Sequence, residues 1–506
     1  MQRSQQALAA LLIVFLGGSA WAQSGEEKAA RHLEAVRHQP SLLLPFLQDM
    51  PKGGDLHVHL YGAIYAESMI DWAAQSGLCV DRTTSKLMRA NCDSCETYKD
   101  KPAARCAYQD HILYNQMVDA WSMRNWRPEE ESGHDHFFAT FDKFGPAFDQ
   151  HIGDAIAEVA SRAAADHLQY VELMHTADGA GAALLAGKVG WDDDFGQLRE
   201  KLLAGGMTDV VASVRSQLDA NEAHEKDVLH CGTPQASPGC AVTIRYLYQV
   251  LRGLPREVVF AQIMLGFELV KADPRFVGFN MVMPEDYYVP MHDFDLHMHM
   301  IEALRKLYPP THTSLHADEL AMGLVPPEGL RFHIRESIER GGAERIGHGV
   351  AVMNEDDAIG LLKEMAAKKV LVEICLTSND VILGVRGGRH PLPAYLKFGV
   401  PVALATDDLG VSRSDMTHEY LRAVETYGLS YADLKRLARA SLEHSFLPGT
   451  SLWEDGVRQG NVAPCMPSLR GPAKPNAACQ QVLDGSERAR VEWQMEKAYA
   501  AFEAKF

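Results

Sequence analysis

Eight short apolar runs, each ending in polar or charged residues and separated by helix-length stretches, constrain this 506-residue chain more than any other feature. They cover 54–59, 168–173, 242–250, 276–282, 313–316, 345–350, 370–375 and 400–406. Continuous apolar strands alternating with helical patterns argue for a parallel sheet covered on both faces. Eight such units favour a closed barrel over an open sheet, so the predicted fold is an α/β chain folded as a (β/α)8 TIM-type barrel. Two stretches break the repeat. Residues 79–135 carry four cysteines, many polar residues, Trp121 and Trp126, and residues 219–241 carry Cys231, Cys240 and a loop rich in Gly and Pro. Both read as disulfide-bearing insertions. The domain limits that follow are a leader at 1–22, a helical segment at 23–50, the barrel at 51–460 and a helical extension at 461–506.

The leader has Arg3, an apolar run over 7–18 and Ala20-Trp21-Ala22, the pattern of a secretory signal peptide cleaved near Ala22. The apolar run is too short to span a bilayer comfortably. The expectation is an exported chain, periplasmic or extracellular, with no membrane span in the mature form. Eight of the nine cysteines fall into local groups, and Cys375 stands alone in a predicted strand. An oxidising compartment makes disulfides the default for the grouped eight. Cys92-Asp-Ser-Cys95 has no partner motif for a zinc knuckle and no βαβ context for a redox role. A formal net charge of -18 repels phosphate backbones and argues against nucleic acid as a partner.

The chemistry starts at Asp55-Leu-His57-Val-His59. Alternate residues of a strand share a face, so His57 and His59 project together as a partial metal site. A second His-x-His, His297-Met-His299, sits where Met298, Ile301 and Leu304 recur at helical spacing; residues two apart on a helix do not share a face. Three later runs end in His316-Ala-Asp-Glu319, Gly347-His348-Gly349 and Thr406-Asp407-Asp408. Each alone is more often a cap, a turn or an ion pair. In a barrel, the carboxyl ends of the strands converge on one mouth, so His57, His59, His316 and Asp407 would meet as a three-His, one-carboxylate site suited to zinc with an open position. Glu319, His348 and Asp408 remain to move protons and stabilise charge.

These motifs resemble the adenosine deaminase family of metal-dependent amidohydrolases. The likeness runs through Met50-Pro-Lys-Gly-Gly-Asp-Leu-His-Val-His59, Ser314-Leu-His-Ala-Asp-Glu319, Arg345-Ile-Gly-His-Gly349, Cys375-Leu-Thr-Ser-Asn379, His390-Pro391 and Ala405-Thr-Asp-Asp408. It covers roughly 51–450, and the leader and cysteine-bearing insertion are more like the secreted, growth-factor-type branch. The resemblance implies one zinc per chain held by His57, His59, His316 and Asp407. It also implies that Glu319 protonates the purine nitrogen beside the attacked carbon. His348 would orient the attacking water and stabilise developing charge, and Asp408 would hold that water in line. The implied partner is a small purine nucleoside; a homodimer is left open.

Two departures bear on the substrate. Tyr61 stands where the family commonly has an acid that contacts the ribose 5′-hydroxyl, and Met283 stands where it has a glycine whose N–H meets a purine nitrogen. Competing readings are a deaminase of a related aminopurine, a two-metal amidohydrolase, and a secreted signalling or binding protein on the same barrel. The fourth run ends Met281-Val-Met283, without the bridging lysine two-metal enzymes usually use, and the H-x-E and P-C-x-x-C signature of cytidine deaminases is absent.

Overall fold

The computed structural model describes residues 24–90, 92, 95, 100–453, 463–466 and 474–506, so the expected leader lies outside the described residues. Eight strands form the barrel: β1 Gly53–His59, β2 Leu168–His175, β3 Thr243–Leu251, β4 Phe276–Val282, β5 His312–Ala317, β6 Arg345–His348, β7 Leu371–Ile374 and β8 Val402–Leu404. Each pairs in parallel with the next. The ring closes where Val58 bridges Asp407: His59 N–H donates to Asp407 O at 3.1 Å and Asp407 N–H to His57 O at 2.8 Å. Every residue of β1 is buried, with Leu56 and Val58 in the apolar layer between strands and helices. Parallel strands covered on both faces need such continuous burial, which is why the runs were readable.

The barrel interior is not wholly apolar. Arg345 opens β6 between two buried carboxylates, with Nη2 2.6 Å from Glu172 Oε2 and Nε 2.7 Å from Glu373 Oε1. All three side chains are essentially without solvent contact. The ion triad forms a polar floor beneath the strand ends.

The expected helix over 23–50 is two helices, Gly25–Val36 and Pro40–Asp49. Pro40 lacks the N–H that would continue the first, and it opens the second instead. In the first insertion, Cys79–Val80 and Leu87–Met88 make a small antiparallel pair, followed by helices His111–Ala120 and Gly133–Phe144. In the second insertion, residues up to Val228 finish the long helix Met207–Val228, and the Gly- and Pro-rich loop follows it, closed by Cys231–Cys240. The described residues hold disulfides Cys79–Cys92, Cys95–Cys106, Cys231–Cys240 and Cys465–Cys479, while Cys375 is a buried thiol just past β7. No helix of the described residues is long and apolar enough to cross a membrane.

The first and last described helices are tied together. Helices Ala477–Gly485 and Glu487–Glu503 carry the tail, and Lys435 joins Glu26 of the first helix to Glu503 of the last at 2.8 and 2.6 Å. On the last helix Glu492 is buried, accepts the Leu452 N–H, and lies near Glu443; burial pushes its carboxyl up to about 8. A carboxyl raised in the folded state stabilises fully below the unfolded value of about 4.3, and that contribution is lost as pH rises through the folded value. Glu492→Gln cannot ionise, so its melting temperature should fall less than the parent's between about pH 6 and pH 8.5. The expected difference is a few kcal/mol at most, on the scale of about 1.4 kcal/mol per tenfold change in proton affinity. Equal falls in the two proteins would show that Glu492 titrates normally.

Candidate metal and catalytic site

The strand ends gather the expected residues at one mouth of the barrel. β1 brings His57 and His59, β5 brings His316, β6 ends in His348, and the turns beyond β5 and β8 bring Glu319, Asp407 and Asp408. His348 and Asp407 sit at φ 67° and 58°, the left-handed region that non-glycine residues rarely adopt and that clusters at functional sites. Two glycines make the approach possible. A Cβ on Gly347 would lie 2.5 Å from His57 Cε1, and one on Gly62 would lie 1.6 Å from Asp408 Oδ1.

Three imidazoles are oriented from behind. His57 Nδ1 lies 2.6 Å from Glu373 Oε2, His59 Nδ1 2.7 Å from Gln249 Oε1, and His316 Nδ1 2.7 Å from Asn280 Oδ1. Hydrogen bonding assigns the amides. Gln249 Nε2 donates to Thr176 Oγ1, and Ser314 Oγ donates to Glu373, leaving its lone pair for Asn280 Nδ2. Each Nδ1–H therefore faces an acceptor, and each Nε2 points inward, the arrangement of metal-ligating histidines. His57 Nε2 is 3.2 Å from His316 Nε2 and 3.6 Å from Asp407 Oδ1, and His59 Nε2 is 3.3 Å from the same oxygen. Ser378 Oγ donates to Asp407 Oδ2 at 2.6 Å and fixes the carboxylate.

The electrostatics of this donor set fit a cation. Burial opposes charge on His57, yet Asp407 and Glu373 outweigh it and raise the ring to about 10. Burial likewise opposes charge on Asp407, and hydrogen bonds from His57 and His59 hold it well below the usual carboxylate range. Burial, with the neighbouring imidazoles, keeps His316 neutral. The ligand atoms of His57, His316, His348 and Asp407 lie within 4.8 Å of one another, as do those of His59, Asp407 and Asp408, so distance alone leaves His348 among the candidates.

Around the cluster, Glu319 Oε1, His348 Nε2 and Asp408 Oδ1 are buried polar atoms with no hydrogen-bond partner among the described residues. Burial, then the charge of Asp407, pushes the Glu319 and Asp408 carboxyls well above their usual range, and burial pushes His348 down to about 3. Glu285 receives the backbone N–H groups of Asp318 and Glu319 at 3.0 Å each and pairs with Arg252 at 3.4 Å, fixing the turn that presents Glu319. Tyr61 packs its ring 4.7 Å from Phe148 and 5.8 Å from His175, beside a cavity of about 340 Å3 that Ile152, Val214 and Leu218 also line. Met283 follows β4 at φ 128°, a backbone suited to glycine, with its side chain against Gly253. His297 and His299 lie apart, on the helix Phe294–Arg305.

Sequence reasoning missed the supporting residues Glu373, Gln249, Asn280, Ser378 and Glu285. For the first three the signal was present: a polar residue inside an otherwise apolar strand run.

The adenosine deaminase family model matches residues 108–452, more than half of the 506 residues. The chain belongs to the adenosine deaminase family. The matched stretch starts after His57, His59 and Tyr61, which the barrel nonetheless seats beside the later motifs. An adenosine deaminase of Clostridium perfringens is 37% identical over 119 residues, 23% of this chain and 35% of that protein. One from Escherichia coli is 39% identical over 137 residues, 27% and 38% of the two chains. The chain thus aligns with little more than a third of the length of these relatives. Among solved structures, the N6-methyl-AMP deaminase of Arabidopsis thaliana is similar at 19% identity over 80% of this chain and 94% of that one, with a TM-score of 0.49.

Proposed function

We propose that this family member is an exported hydrolytic deaminase with one zinc per chain, converting adenosine, 2′-deoxyadenosine or a 5′-modified adenosine to the inosine analogue and ammonia. The observation that carries the reading is the pairing of three inward Nε2 atoms and one carboxylate with three buried side chains that each keep one polar atom, Glu319 Oε1, His348 Nε2 or Asp408 Oδ1, without a hydrogen-bond partner among the described residues. His57, His59, His316 and Asp407 would hold the metal, whose role is to make water a nucleophile near neutral pH. Family membership and the absence of a lysine at the end of β4 support this over a two-metal hydrolase.

The chain's own groups account for the rest. Glu319, kept protonated by burial, gives its proton to the ring nitrogen beside the amino-bearing carbon and makes a poor electrophile a good one. Asp408 Oδ1 accepts from the attacking water and holds it in line. His348 stabilises charge on the oxygen as the C–O bond forms. One water proton passes to the amino group, the C–N bond breaks as ammonia leaves, and the remaining hydroxyl proton returns to Glu319 as the C=O forms. The signal-like leader and four short disulfides support an oxidising, extracytoplasmic location.

Tyr61 deepens the substrate reading. Its ring lies among Phe148 and His175 beside a cavity of mixed polar and apolar lining, so the 5′ side offers an aromatic face to a methyl or sulfur group. The test is an ultraviolet assay over adenosine, 2′-deoxyadenosine, 5′-deoxyadenosine, 5′-methylthioadenosine, adenine and AMP. The kcat/KM ratio of adenosine to 5′-deoxyadenosine should lie near unity. A preference of about a thousandfold, roughly 4 kcal/mol, would mean the hydroxyl is firmly held. No turnover of any aminopurine would defeat the deaminase reading itself.

A further inference from the structure

Two of the motifs, Cys375-Leu-Thr-Ser-Asn379 and His390-Pro391, place side chains directly behind His348. Asn379 and His390 are both buried. The Leu392 backbone N–H donates to His390 Nδ1 at 3.1 Å. A backbone amide can only donate, so His390 carries its proton on Nε2. That Nε2–H lies 3.1 Å from Asn379 Oδ1, which accepts it. The Asn379 amide is thereby oriented with Nδ2 toward His348, 3.1 Å from its Nδ1. A flipped amide would set two donors against each other at His390. Nδ1 of His348 must then accept, and its proton lies on the inward Nε2, the atom with no hydrogen-bond partner among the described residues. Glu319 Oε1 is farther from the same Nδ1, at 3.5 Å. His57, His59 and His316 have the opposite arrangement, since their Nδ1 atoms face acceptors.

We propose that Asn379 and His390 are positioning residues that lock His348 as its Nε2–H tautomer. The lock makes His348 a hydrogen-bond donor to the attacking oxygen and removes it from the metal's ligand set. One backbone N–H, at Leu392, sets the polarity of the whole relay. Its kinetic part rests on the deaminase reading, whereas the tautomer itself can be read without substrate.

The experiment uses the full chain, zinc-loaded and labelled with 15N at histidine. Long-range proton–nitrogen correlation distinguishes protonated from unprotonated ring nitrogens, and His348→Gln assigns the His348 signals. Nε2 should be protonated and Nδ1 bare at His348; a proton on Nδ1 overturns the proposal, whether or not the chain deaminates anything. Asn379→Asp offers only acceptors and should move the His348 proton to Nδ1 while zinc stays bound. A histidine held in the wrong tautomer costs serine proteases about 10^4-fold in kcat, and here kcat should fall at least about 100-fold with KM within about threefold. His390→Gln keeps a donor toward Asn379 and should retain both the tautomer and most of the activity. A moved proton with unchanged kcat, or zinc lost from Asn379→Asp in a folded chain, would show that the tautomer does not act as proposed.

Discussion

On the proposed zinc-deaminase reading, an Asp407→Asn variant is expected to lose the metal and at least about 10^4-fold in kcat/KM, more than 5 kcal/mol of transition-state stabilisation. Asp407 is the one anionic donor among the four groups, and it faces His57 at 3.6 Å and His59 at 3.3 Å. Asparagine keeps the shape but removes the charge that holds a cation in a buried site. It also sets an N–H against the Ser378 hydroxyl or forces that hydroxyl to turn, since Ser378 now donates to the carboxylate. Metal analysis should give about one equivalent for the unmodified chain, as a single four-ligand set implies. Activity that needs two equivalents would favour a two-metal hydrolase. Full zinc and full turnover in Asp407→Asn would remove Asp407 from the ligand set.

Arg345→Met should destabilise the fold by about 3–5 kcal/mol, the usual cost of removing one partner from a buried ion pair. Glu172 and Glu373 would be left facing each other without the guanidinium that lies 2.6 and 2.7 Å from them. The damage should reach the metal site. Burial opposes charge on Glu373, and Arg345, then His57, hold its carboxyl below the usual range; an uncharged Glu373 would accept from His57 Nδ1 more weakly. Loss of such an outer partner typically weakens metal binding about 10–100-fold. Adding Glu172→Gln should recover part of the stability, because fewer buried charges remain. Denaturant unfolding and zinc titration read the two effects, and a variant within about 1 kcal/mol of the parent would show that the triad is not a structural support.

How much of this was legible beforehand follows from where the information lies in the chain. All eight strands could be read because a parallel barrel buries both faces of each strand, leaving apolar runs that do not depend on context. The His57 and His59 pair was visible because a strand repeats every two residues. The break at Pro40 was missed because the apolar residues on either side continue at near-helical spacing. The helix through 219–228 has few apolar residues, so in the sequence the second insertion was marked only by Cys231, Cys240 and the Gly- and Pro-rich loop between them. The residues that orient the imidazoles were harder still. Glu373, Gln249 and Asn280 come from three different strands, and their pairing with His57, His59 and His316 exists only once the ring has closed. Tyr61 and Met283 were noticed only as departures from a family pattern. Their surroundings, an aromatic pocket wall and a glycine-like backbone at φ 128°, arise only in the folded chain.

The seam at Val58 and Asp407 bears on how such a chain comes to hold a metal at all. Its proposed ligands come from the first strand, the fifth and the turn after the last, so the donor set is complete only when both edges of the sheet have met. During synthesis the amino-terminal strands emerge first, and a nascent chain can present His57, His59 and His316 long before Asp407 exists. A truncated or stalled product would therefore have imidazoles but no anionic donor and no closed ring. On the zinc reading, tight retention of the ion then acts as a chemical proof of ring closure: only a closed barrel can keep it.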